Sequence, residues 1–190
     1  MTQQNGTLPQ QISQRFKRVG IAMLLFWLPL NLATAVEYQS ADAFIQQAFN
    51  GNKGNNKVYW IDEQAKQTIE TILAHSFNKM RLRYWEQDNE TVWILDEIGK
   101  ESPITVGIHV KADAIAQIKV LTYRESRGDE VRHDFFTDQF KSAKLDNQMQ
   151  LDRHIDGITG ATLSVRALTK LSRIALWLDN HVNQVTDQTQ

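Results

Sequence analysis

The 190-residue chain contains no cysteine. That absence removes a disulfide framework, a thiolate metal site, an iron–sulfur cluster and a C-x-x-C-H haem attachment together. Electrons handled by such a protein must reside on an organic cofactor. Its five histidines are scattered, with no H-x-x-x-H or H-E-x-x-H spacing, so no metal site is expected. His133-Asp134 comes nearest to a ligand pair and reads better as a solvated loop. The G-x-S-x-G, P-loop and G-x-G-x-x-G signatures are also missing, which leaves a serine hydrolase, an NTPase and a Rossmann dehydrogenase without support. With 21 Lys and Arg against 22 Asp and Glu, there is no basic excess for nucleic acid.

One apolar run stands out. Arg15, Lys17 and Arg18, with no acidic residue before them, precede an apolar stretch over 19–30 that ends at Pro29 and Leu30, and Ala33-Thr34-Ala35 follows. This is the layout of a secretory signal with an A-x-A cleavage site, dividing the chain into a signal at 1–35 and a single domain at 36–190. An uncleaved N-terminal anchor is the alternative, since 19–36 is at the short end of a bilayer-spanning helix. Either reading directs the body to the periplasm or the extracytoplasmic face of the inner membrane, because the positive flank stays inside. Cleavage leaves a mildly acidic body long enough for one core.

Within that body the pattern predicts an α+β domain, a mostly antiparallel sheet flanked by helices. Ser40 caps a short helix over 41–49, and the Gly-Asn loop 51–56 leads into a strand over 57–61. Asp62 caps a second helix in which Ala65, Ile69, Ile72 and Leu73 recur at helical spacing. Strand periodicity then covers 81–86, 92–98, 104–110 and 115–123. An aromatic segment with Phe135, Phe136 and Phe140 follows. A long helix over 164–182 presents Ala167, Leu168, Leu171, Ile174, Ala175, Leu178 and Val182 to the sheet.

Just before this helix the chain reads Asp156-Gly157-Ile158-Thr159-Gly160-Ala161-Thr162-Leu163-Ser164. A threonine at the mouth of a helix can carry a phosphoryl group, because free N–H groups and the positive end of the helix dipole lie beside the added charge. Thr162 is the candidate. Gly160 and Ala161 keep bulk away from its hydroxyl, and Gly157 is expected to allow a turn that a β-carbon would obstruct. A turn at Glu125-Ser126-Arg127-Gly128 follows the last strand.

The run at 156–162 resembles the flavinylation motif of the FMN-binding domain family, Asp-x-x-(Ser/Thr)-Gly-Ala-Thr, at every defined position. The family includes extracytoplasmic flavin subunits of Na⁺-translocating NADH:quinone reductase and of Rnf-type complexes. Its last threonine is esterified to the FMN phosphate by a separate flavin transferase, so the resemblance implies covalent FMN on Thr162. Asp156 would then help position the threonine or the metal of the transferase, or merely cap a turn, and Thr159 would bond the phosphate or cap the helix. A Glu-(Thr/Ser)-x-Gly turn lies beside the flavin in this family, which assigns Glu125, Ser126, Arg127 and Gly128 to cofactor binding. Arg127 stands where the membrane-complex members usually have proline, and a second glycine near Glu130 is missing.

Glu125 and Arg127 are the polar candidates for ring contacts, and Trp85, Trp93, Tyr123 and Trp177 the stacking candidates, with core packing the stronger expectation for each aromatic. The resemblance implies an exported electron carrier between membrane and periplasmic redox partners, with no catalytic residue of its own. An FMN-dependent reductase of a small molecule and an accessory subunit of a membrane redox complex are the alternatives.

Overall fold

The computed structural model describes residues 1–2 and 35–187, with side chains to residue 183. Except for its two ends, the expected signal or anchor segment lies outside the described residues. Among the described residues no helix is long and apolar enough to cross a membrane.

Two capped helices open the domain. Ser40 Oγ accepts the Ala43 N–H at 3.2 Å to start α1 (Ala41–Ala48), and Asp62 Oδ1 accepts that of Ala65 at 2.7 Å to start α2 (Glu63–Leu73). Each cap satisfies an amide that the helix itself leaves without a partner. The sheet consists of β1 (Val36–Glu37), β2 (Asn55–Trp60), β3 (Arg81–Gln87), β4 (Glu90–Ile98), β5 (Pro103–Lys111) and β6 (Ala114–Tyr123). Their order is β1-β6-β5-β4-β3-β2, antiparallel at every ladder. Tight turns close two of the hairpins: Asp88 and Asn89 join β3 to β4, Ala112 and Asp113 join β5 to β6, and all four residues have positive φ. Paired left-handed residues give the turn a twist that matches the sheet.

Two details depart from the sequence pattern. β2 begins inside the expected loop, because Asn55 and Asn56 pair with Glu86 and Trp85. β1 has no counterpart in the pattern at all. Two residues carry no periodicity, and only the pairing of Val36 with Tyr123 and Glu37 with Thr122 defines it.

Both faces of the sheet are covered. Along β4 the alternation sends Trp93 and Leu95 to one face and Val92 and Ile94 to the other. The first face packs against α4 (Thr162–Asp187), α2 and the Phe136/Phe140 segment, which forms a short helix α3 (Asp134–Thr137) between single 3₁₀ turns. α4 begins two residues earlier than expected and buries the predicted stripe from Ala167 to Val182. Each fully buried leucine there contributes roughly 1.5–3 kcal/mol.

Among the described residues the second face carries only α1. Phe44, Ile45 and Phe49 pack with Val92 and Leu121, and the Phe44 ring lies directly on the backbone of β5 at Gly107. A β-carbon on Gly107 would stand 2.6 Å from Phe44 Cδ1. Glycine therefore lets this helix dock.

A polar chain crosses the first core. Trp93 Nε1–H donates to Thr91 Oγ1 at 2.9 Å, and the Thr91 hydroxyl donates to Asp179 Oδ1 at 2.5 Å. Asp179 is only 1% exposed. Burial raises its pKa to about 6, with Asp113 and Glu86 adding to the rise, and the hydrogen bonds from Thr91 and Asn183 oppose it.

Gly107→Ala is expected to lower unfolding free energy by about 1–3 kcal/mol, through overpacking against Phe44. Denaturant titration measures it, and a combined Gly107→Ala, Phe44→Leu chain recovers part of the loss. Because the folded pKa of Asp179 lies above its unfolded value, its contribution is complete at low pH and is lost as pH rises through about 6. Asp179→Asn, which keeps an acceptor for Thr91, is expected to stabilise the domain by about 1–3 kcal/mol above pH 7. The gain should vanish near pH 4, where a stability–pH curve for both chains must converge.

Candidate functional site

The end of β6 brings two distant turns together. Tyr123 is 2% exposed, and its hydroxyl donates to the Arg127 carbonyl at 2.6 Å while also bonding Ser164 Oγ at 2.9 Å. Burial raises the phenol pKa, the Ser164 bond opposes that, and Glu125, Asp129 and Glu130 add to it, so the hydroxyl keeps its proton. Gly128 sits inside this latch with φ +88°, and a β-carbon there would meet Tyr123 Oη at 3.0 Å and Ala161 Cβ and Ser164 Oγ at 3.3 Å. The turn at 125–128 therefore lies flat against the start of α4.

Glu125 reaches the other way. One carboxylate oxygen, Oε1, accepts the amides of Lys100, Glu101 and Ser102 at 2.6, 2.7 and 2.8 Å. Burial would push this carboxyl up, but the amides of Ser102, Glu101 and Lys100, together with the Lys100 charge, hold it below the ordinary range. A β-carbon on Gly99 would stand 3.0 Å from the same oxygen. The β4–β5 connection is thereby gathered around a side chain of the β6 turn.

Between these two turns and α4 lies a cavity of about 480 Å³. Glu125, Ser126 and Arg127 form one wall, and Lys100 and Glu101 a second. The third is the helix entrance from Gly160 to Ser164. Thr162 is exposed, and its hydroxyl makes no hydrogen bond to any described residue. Gly160 has φ +86°, a conformation that costs other residues. Ala161 begins the helix by accepting from Val165 N at 2.9 Å, and no side chain caps it. The amides of Thr162, Leu163 and Ser164 thus lack partners among the described residues, where an anion is favoured.

The expected site residues separate into two groups. Thr162, Gly160, Ala161, Glu125, Ser126 and Arg127 line one cavity, and Gly128 backs it. Asp156 and Thr159 do not line it. Asp156 is exposed, with its amide donating to Gln139 Oε1 at 2.7 Å and its carboxylate 3.6 Å from His154 Nε2. Thr159 is exposed and caps nothing. The steric role expected of Gly157 does not hold, since its φ is ordinary and a β-carbon there would meet nothing within 4 Å. Ala161 is buried at 3% exposure, so it anchors the turn instead of opening access.

None of the four stacking candidates lines the cavity. Trp93 stacks on Tyr84 at 4.7 Å in the core, Trp177 on His181 at 5.0 Å, and Trp85 packs on the α1 side. Tyr123 is the latch. The apolar surface offered is that of Leu163, 42% exposed. Lys100, Glu101 and Ser164 were missed by sequence reasoning, and only the β6 tyrosine followed by a polar turn hinted at a latch. No group of three or more His, Asp or Glu gathers among the described residues to hold a metal.

Residues 99–176 match the family model of the FMN-binding domain. This stretch is an FMN-binding domain. The match begins at the Gly99 loop and takes in β5, β6, both turns and most of α4, so it spans all three walls of the cavity. No curated protein and no solved structure matches the chain. The cavity fits the cofactor the family implies: its volume falls within the range of roughly 300–1,000 Å³ usual for small-ligand sites, and free amides and the Lys100 and Arg127 cations suit a phosphate.

Tyr123→Phe removes both latch bonds of the FMN-binding domain while keeping the ring. It is expected to cost about 1–2 kcal/mol of stability, and Ser164 is left without its partner. Hydrogen exchange should speed up at Val165, whose amide bonds the Ala161 carbonyl at the start of α4, and stay unchanged in β4. Uniform speeding throughout the sheet would contradict a local latch.

Proposed function

We propose that the protein is an exported electron-transfer flavoprotein that carries FMN esterified through its phosphate to Thr162, passing electrons between membrane and periplasmic redox partners. The observation that supports this best is the juxtaposition of an unbonded, exposed threonine hydroxyl with three unpartnered helix-start amides in the cavity of an FMN-binding domain. Attachment requires Thr162 Oγ1 to form a P–O bond and lose its proton, while the leaving group of an activated flavin nucleotide departs with the electron pair. A flavin transferase supplies the base and the metal for that step. Exposed Asp156, six residues upstream, is available to such an enzyme and makes no contact with Thr162 here.

Each wall has a separate task in this reading. The amides of 162–164 and the helix dipole favour the phosphodiester charge by roughly 0.3–1 kcal/mol, a positioning effect that the covalent bond makes permanent. Arg127 brings a cation to the cavity wall, beside the Lys100–Glu101 ion pair at 3.2 Å. FMN supplies one- and two-electron chemistry when bound. The open wall beside Leu163 suits transfer to a docking protein better than turnover of an enclosed substrate, which favours a carrier over a reductase.

Export from a host containing a flavin transferase should give a protein with an intact mass raised by one FMN less the water lost in forming the ester. Thr162→Ala is expected to lose the adduct completely, and Thr159→Ala to keep it. An adduct that persists on the Thr162→Ala chain would sink the proposal, as would its absence from the unsubstituted chain.

A further inference from the structure

Another cavity, of about 430 Å³, lies between α2, the first turns of α4 and residues 150–155. Its lining includes Arg153, Arg166, Lys170 and Arg173 and no carboxylate. In a chain with more acidic than basic residues, such a concentration of one sign is unusual. The cations are not equivalent. Arg153 is locked onto the carbonyls of Lys141 and Ser142 at 2.7 and 2.8 Å and bridged to Asp152 at 3.2 Å, and Lys170 onto the Leu73 carbonyl and Glu97, so both are held in place with their charges paired.

Arg166 and Arg173, two helical turns apart on one face of α4, are left over. Arg166 makes no hydrogen bond or ion pair with any described residue. Arg173 is half-buried and donates only through Nε, to the Met149 carbonyl at 2.6 Å, which leaves both terminal nitrogens of the guanidinium unused. Burial lowers its pKa, and Asp146 offsets only part of that. A half-buried charge is ordinarily paired, because desolvation is costly without a counter-charge. Ile72, Leu151, Ile155 and Val165 supply an apolar floor beneath the two guanidinium groups.

We infer that this cleft is a second binding site, separate from the FMN cavity, for a small organic anion whose phosphate or carboxylate bridges Arg166 and Arg173 while its apolar body rests on the floor. Arginine forks match both oxyanions in two-point geometry. The inference does not depend on flavin attachment at Thr162.

Titration of the purified full chain with phenyl phosphate, inorganic phosphate and benzyl alcohol, followed by ¹H–¹⁵N spectra, tests it. Phenyl phosphate should shift the Arg173 Nε–H signal and the amides of Ile155 and Arg166 to saturation, inorganic phosphate should bind several-fold more weakly, and benzyl alcohol should shift nothing. Arg166→Gln, at an exposed position, should weaken phenyl phosphate about tenfold, and Arg166→Lys should recover part of that. Arg173→Gln provides a second reading. Absence of saturable shifts below about 10 mM would overturn the site. So would shifts confined to 160–164, or undiminished binding by both glutamine variants. Equal binding of inorganic phosphate would overturn the apolar half of the assignment.

Discussion

The Tyr123 phenol does two incompatible-sounding jobs with one ring. As the last inward residue of β6 it is buried with the core, and its hydroxyl is the point at which the 125–128 turn and the start of α4 are held together. Without it the two walls of the cavity would lose the two hydrogen bonds that tie them through one side chain. With it, a carbonyl of one turn and a hydroxyl of the helix are bonded through one rigid side chain. Glu125, two residues on, extends the assembly to the 100–102 amides. The cavity is therefore built outward from the end of a single strand, whose position is set by ladders to β5 and β1.

That order of construction explains which features were legible in sequence. Ser40 and Asp62 mark helix starts because capping is local, and the β3–β6 strands and the α4 stripe follow from periodicity. The motif at Thr162 and the turn at Glu125 were found for the same reason, as short contiguous patterns. Lys100 and Glu101 were invisible, because their place in the wall depends on the register of the β4–β5 hairpin and on a carboxylate 25 and 24 residues away. The tryptophans were readable only as large apolar groups. Which of them would face a cavity depends on sheet face and layer, and Trp93 was claimed by the Thr91–Asp179 chain in the core. Gly157 shows the opposite error, where a glycine in a motif suggested a strained turn and the backbone has none.

Leaving α4 uncapped carries an energetic argument of its own. A serine or aspartate at position 161 would stabilise the helix by about 0.5–2 kcal/mol, and the chain places alanine there. At 26 residues, with a continuous buried stripe against β4 and β5, the helix does not need that contribution. Capping would engage the amide of Leu163 or Ser164 with an internal oxygen. Ala161 instead has its methyl buried beside Gly128. Stability is thus drawn from the far turns of α4, while the donors of the first turn and the Thr162 hydroxyl have no partner among the described residues.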